Sequence, residues 1–200
     1  MTGKIVTLTG PSGIGKGYLK PRIATHLNAE DIPVYTTRSP RNEHKEPSRI
    51  FVADYEFDRM NMEGHLKMVH ELFGHRYGFG VQDLERAKFS NGYFITEVHV
   101  SNVPKFRDIF PDANMIALVA GSFQMLEDRM EKRGETHESL KTRLEVARVE
   151  NVEIYRLKGM FDFFHEIHPE FESTTADIVI RYLEGYYALS DRDGRTDMLR

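Results

Sequence analysis

The sequence predicts an α/β fold with a parallel five-stranded core sheet flanked by helices, and three observations carry that expectation. Short apolar or β-branched runs alternate with longer segments of helical spacing, the pattern of strands joined by helical crossovers. The run at 114–120 is apolar throughout rather than alternating, as a strand covered on both faces requires. The first such run, 5–9, breaks at Gly10 into a glycine-rich turn that leads into a helical segment.

Taken in order, residues 5–9 read as a buried strand because β-branched and apolar side chains fill them up to Gly10. Residues 16–27 have helical character, with Pro21 expected to kink or restart the helix because it removes a backbone bond at about 3 kcal/mol. Residues 32–37 read as a second strand, ending in the basic turn Arg38-Ser39-Pro40-Arg41, and 42–49 as a polar loop. Residues 51–73 combine a short strand with a helix around 55–62. Residues 82–89 read as a helix with Leu84 and Ala87 on one face, 93–100 as a strand and 103–110 as a short helix. Charged helical segments follow at 126–133 and 140–157, separated by Gly134-Glu135-Thr136. Residues 176–180 read as the last strand, 183–189 as a helix, and 190–200 as a polar, fraying tail.

The composition narrows the chemistry. At 200 residues a single domain with a small inserted subdomain is the natural expectation, here 1–189 followed by the tail. A hydrophobic fraction of 40% builds a core and argues against global disorder. The absence of cysteine excludes disulfides, thiolate-bound zinc, iron–sulfur clusters and a thiol nucleophile. A net charge of −4 argues against a nucleic-acid partner. With neither a secretory signal nor an apolar run of roughly 18–20 residues, the expectation is a soluble cytoplasmic protein with no membrane partner.

The chemical centre of the sequence is Gly10-Pro11-Ser12-Gly13-Ile14-Gly15-Lys16, a G-x-x-x-x-G-K loop between a strand and a helix. Its glycines let successive N–H groups turn inward around an anion. The helix N-terminus adds its positive end, and the Lys16 ammonium reaches the outer phosphates. Gly17 stands where a serine or threonine hydroxyl commonly binds Mg²⁺, and Tyr18 follows. Mg²⁺ is then expected on the ATP phosphates and water, with no direct protein ligand.

Beyond this loop, Thr36-Thr37-Arg38-Ser39-Pro40-Arg41, Gly74-His75-Arg76-Tyr77-Gly78 and the arginines Arg129, Arg133 and Arg143 follow in order. In these four elements the chain resembles the guanylate kinase family over most of residues 3–150. The resemblance implies a P-loop kinase with an acceptor-binding subdomain near 36–81 and a lid near 129–143. It implies transfer of the ATP γ-phosphoryl group, with Mg²⁺, to a nucleoside monophosphate, GMP being the first candidate. Residues 10–18 would hold ATP, and Lys16, Arg129, Arg133 and Arg143 would surround its phosphates. Arg38, Arg41 and Tyr77 would hold the acceptor's phosphate, and Glu97, by its place near a strand end, would touch the acceptor or orient water on magnesium. Arginine suits these positions because its planar fork binds phosphate bidentately and never loses its charge.

The resemblance breaks where the family reads guanine. The position of its base-binding carboxylate is Met68, and that of its hydroxyl is Phe79. The serines before T-T-R are replaced by Val34 and Tyr35, and a tyrosine before the next strand by Arg49, leaving Glu71 or Glu43 as substitute readers. Apolar groups cannot supply complementary donors and acceptors. The chain is also similar to ribose 1,5-bisphosphate phosphokinases, which share the loop and apolar groups around Tyr77-Gly78. A sugar-phosphate acceptor is therefore an alternative, as is a catalytically weak binding module. The nine histidines show no ligand spacing, 161–164 reads as a packing insertion or subunit contact, and the chain is expected as a monomer or homodimer.

Overall fold

The computed structural model describes residues 3–40, 46–132, 134, 136–169 and 174–196. Five parallel strands form the central sheet in the order β2 (Glu30–Asp31), β7 (Tyr93–Glu97), β1 (Lys4–Thr9), β8 (Asn114–Ala120) and β9 (Phe163–Ile167). Strand β1 lies at the centre, and its alternate side chains feed two cores. Val6 and Leu8 pack with helices α1 (Lys16–Leu27), α5 (Phe123–Glu131), α6 (His137–Arg156) and α7 (Thr175–Thr196), whereas Ile5 packs with α3 (Val81–Phe89) and α4 (Val103–Ile109). Covering both faces is what the all-apolar run of β8 requires, and all seven of its residues are buried.

A second sheet of four strands, ordered β4 (Arg49–Phe51), β3 (Val34–Thr36), β6 (His75–Gly80) and β5 (Leu66–Leu72), is joined to the first through the second core. Strand β3 pairs in parallel with β4, and the other pairings are antiparallel. Helix α2 (Asp54–Met62) links β4 to β5.

Several expectations are corrected. The segment read as a strand over 32–37 contributes only Val34–Thr36, to the second sheet, and the core edge is the short Glu30–Asp31 that precedes it. Residues 176–180 are helical, because Ala176, Val179, Leu183 and Tyr187 recur about every four residues and all are buried, which outweighs the β-branched run 178–180. Helix α7 extends to Thr196, into the region read as tail. The fifth core strand is supplied by Phe163–Ile167, in parallel register with β8, where the sequence suggested an insertion. Within 51–73 the helix is α2 and the strand is β5, seven residues long, whereas the segment 93–100 leaves the strand after Glu97. Pro21 does not break α1, which runs through it as one element and ends at Asn28 in left-handed geometry. Among the described residues, no helix is long and apolar enough to cross a membrane.

Candidate active site

The loop leaves the carboxyl end of the central strand and opens α1, the place where parallel sheets bind ligands. Two glycines are required there. A Cβ on Gly10 would lie 2.7 Å from the Leu118 carbonyl oxygen of β8, and Gly15 caps α1 with φ of 108°, a left-handed conformation that disfavours side chains. Ile14 anchors the loop in the core. The Lys16 ammonium folds back on the loop, donating to the carbonyls of Gly10 (2.5 Å) and Pro11 (3.1 Å). Arg129 of α5 donates to the Gly13 carbonyl at 2.9 Å, so this arginine does reach the phosphate loop. The Ser12 N–H donates to Glu150 Oε2 of α6 at 3.3 Å. Tyr18 is exposed and lies beneath the Arg22 guanidinium, 3.4 Å from ring centroid to guanidinium carbon.

Glu97 ends β7 in register with Leu8 of β1, which brings it beside the loop. Burial alone would raise its carboxyl, but the Arg49 guanidinium and the ammonium groups of Lys16 and Lys20 outweigh that and hold it below the ordinary carboxylate range. Arg49 reaches Glu97 at 3.2 Å and lies 6.0 Å from the Tyr77 ring centroid. Arg49, Tyr77, Glu97 and Lys16 thus form the charged floor of the cleft between the two sheets. Arg38 pairs with Glu46, donates to the Ser39 carbonyl and stands over Phe51. Arg143 of α6 stands 4.8 Å over Phe73, at the turn between β5 and β6. Arg41, Glu43 and Arg133 lie outside the described residues.

Met68 and Phe79 do not face this cleft. They are 6% and 2% exposed and pack in the second core with Val34, Val103 and Phe106, Phe79 meeting Phe106 edge-on at 6.0 Å. Met68 has a φ of 53° beside a register shift between Lys67 and His70, and the buried Asn102 amide donates to its carbonyl at 2.6 Å.

A polar column connects the second sheet to the loop. Tyr77 stacks on His70 (5.3 Å) and His70 on His99 (4.5 Å), and His99 Nε2 lies 3.1 Å from Glu150 Oε1. The Ser101 N–H donates to His99 Nδ1, which places the His99 proton on Nε2, toward Glu150. The Asn102 amide donates to His70 Nδ1 at 3.0 Å. Burial, together with the neighbouring His99 and Arg49, lowers His70 to about 4. Sequence reasoning missed Glu150, His70 and Asn102 and treated Arg49 only as a departure. For Glu150 a signal was present: it shares the face of α6 that buries Ala147, Asn151 and Ile154, an unusual place for a carboxylate.

Among the described residues, no group of three or more His, Asp and Glu side chains could hold a metal by itself. The donor set does fit an Mg²⁺ carried by nucleotide phosphates, because Glu97 is an ionised carboxylate beside Lys16 and Mg²⁺ commonly needs only one or two carboxylates.

A phosphate loop on a parallel sheet, a lysine and an arginine at that loop, and a second sheet bringing further cations toward them define a phosphate-loop phosphotransferase. Known proteins narrow the class. The family model for guanylate kinase matches residues 2–166. The guanylate kinase of Nostoc sp. is 31% identical over 153 residues, covering 75% of this chain and 77% of that protein. That of Malacoplasma penetrans is 31% identical over 167 residues, covering 80% and 83%. The crystal structure of guanylate kinase from Anaplasma phagocytophilum superposes with a TM-score of 0.69 at 22% identity, covering 92% of this chain and 86% of that one, and shows the same fold. The chain belongs to the guanylate kinase family, and it is an ATP-dependent phosphotransferase of that type.

Proposed function

We propose that the protein transfers the γ-phosphoryl group of ATP to the phosphate of GMP, giving ADP and GDP. An oxygen of the acceptor phosphate forms a bond to the γ-phosphorus while the bond to the β–γ bridging oxygen breaks. The observation that carries this reading is the convergence of Lys16, Arg49, Tyr77 and Glu97 at the carboxyl ends of β1 and β7, on a family whose members phosphorylate through such loops. Residues 10–18 would cradle the ATP phosphates, with Lys16 exchanging the carbonyls of Gly10 and Pro11 for phosphate oxygens. Arg129, Arg133 and Arg143 would surround the transferring group as a lid near 129–143 closes. Arg38, Arg41, Tyr77 and Arg49 would hold the acceptor phosphate within a subdomain spanning about 36–81. Mg²⁺ would neutralise charge on the outer phosphates, with Glu97 orienting its waters. A cytoplasmic setting with small-molecule partners only is consistent with this chemistry.

The deciding experiment is ADP release from Mg-ATP with GMP, dGMP, AMP, UMP or ribose 1,5-bisphosphate as acceptor. GMP is expected to be the best of the five. Turnover with the sugar phosphate alone would overturn the acceptor, and turnover with none would favour a binding module.

Gly17 supports a second expectation. It lies in the first turn of α1, with nothing within 4 Å of an added Cβ, so a serine fits there. Gly17→Ser is expected to raise kcat several-fold at limiting Mg²⁺ and to add about 0.5 kcal/mol of stability through helix propensity. A magnesium titration of kcat checks the first effect and thermal unfolding the second.

A further inference from the structure

We propose that the base of the acceptor nucleotide is held in the cavity between α6 and the turn at 100–104, and not against the sheet positions Met68 and Phe79. The inference rests on the nucleotide reading above and adds where the base goes. The sheet positions are closed: Met68 and Phe79 are packed against Val103 and Phe106, so a purine could enter there only by displacing core side chains. The cavity, by contrast, holds about 620 Å³ and is walled by Leu72, Val100, Pro104, Val146 and Val149. Val149 is 63% exposed, leaving an apolar surface uncovered at this point.

Two lining residues tie the cavity to the phosphate loop and to the second sheet. Its lining includes His99, the inner end of the column that starts at Tyr77, and Glu150, whose other oxygen takes the Ser12 N–H of the loop. A nucleotide anchored by its phosphate near Tyr77 and Arg49 can therefore run along the two stacked imidazoles and present its base between Val100 and α6. The polar groups there favour a base rich in donors. Glu150 is engaged with His99 and Ser12; Glu153, about one turn further along α6, pairs through Oε1 with Arg156 and is the other α6 carboxylate near them that lines the cavity, a group that only accepts. Guanine offers adjacent N1–H and N2–H donors to such a group. Adenine offers one donor beside an acceptor, which a carboxylate repels.

The test is steady-state kinetics on the full chain with GMP, IMP and ATP. Val149→Trp, which fills the cavity from an exposed position, is expected to raise KM for GMP at least tenfold and to leave KM for ATP within twofold. Glu153→Gln is expected to cut the preference for GMP over IMP, which lacks the 2-amino group, by at least fivefold. An unchanged KM for GMP in Val149→Trp would overturn the placement while the kinase reading stands. Failure of the unaltered protein to phosphorylate GMP would overturn both. Should the tryptophan variant fail to fold, Glu153→Gln decides alone: an unchanged GMP-to-IMP ratio removes the cavity from base recognition.

Discussion

Replacing Lys16 by alanine is expected to lower kcat by about 10² to 10³ and to leave the fold intact. The magnitude is that of removing one preorganised charge from a site where negative charge spreads over phosphate oxygens. The fold survives because Lys16 bonds only to two carbonyls of its own loop, while the loop itself is held by Ile14 in the core, by Arg129 and by Glu150. The variant also takes away one of the cations that hold Glu97 ionised, so the Glu97 carboxyl should move upward toward its ordinary range. Single-turnover kinetics together with circular dichroism measure both parts. Undiminished turnover in a folded variant would remove Lys16 from the reaction.

Acidification is expected to cost this protein stability well before its carboxylates titrate. His70 is lowered to about 4 by burial and by its neighbours His99 and Arg49, against 6.5 in an unfolded chain. Below pH 6.5 the unfolded chain therefore binds a proton that the folded protein refuses. Stability is present in full above 6.5 and is lost as the pH falls through about 4, by about 3 kcal/mol at complete titration. His165, lowered by burial and by His168, acts in the same direction. Glu97 adds a loss at lower pH, since its folded carboxyl lies below its unfolded value. Urea unfolding between pH 7 and 4.5 should show the decline, and His70→Phe should make it shallower. Parallel pH profiles for the two proteins would show that His70 does not drive it.

The sequence made the phosphate loop legible because its function demands residue types at fixed spacing, and the strand before it and helix after it are local features. The parallel sheet followed from strand and helix alternation. What was illegible depended on contacts between distant segments. The run 178–180 has β-branched residues, and only burial of Val179 and Leu183 against α1 and the sheet makes it helical. Strand β2 has two residues, Glu30 and Asp31, whose strand character comes from pairing with β7 and from the ion pair of Asp31 with the buried Lys20. Met68 and Phe79 are legible as apolar side chains, but their places inside a core depend on the bulge in β5 and on Asn102, about 34 residues downstream. The column from Tyr77 to Glu150 joins residues from four separate parts of the chain, which no spacing rule reveals.

The central position of β1 has a consequence for the chain as it leaves a ribosome. The loop is made before the segments that hold it: its neighbours in the sheet are β7 and β8, and α7 shares the core beneath it through Val179, Leu183 and Tyr187. A nascent chain therefore carries the whole of Gly10 to Lys16 long before anything can hold it in shape. Pairing across such separations is slow and leaves apolar segments open to chaperones and proteases in the meantime. Competence to bind ATP should arrive only once α7 has been made, and almost all at once.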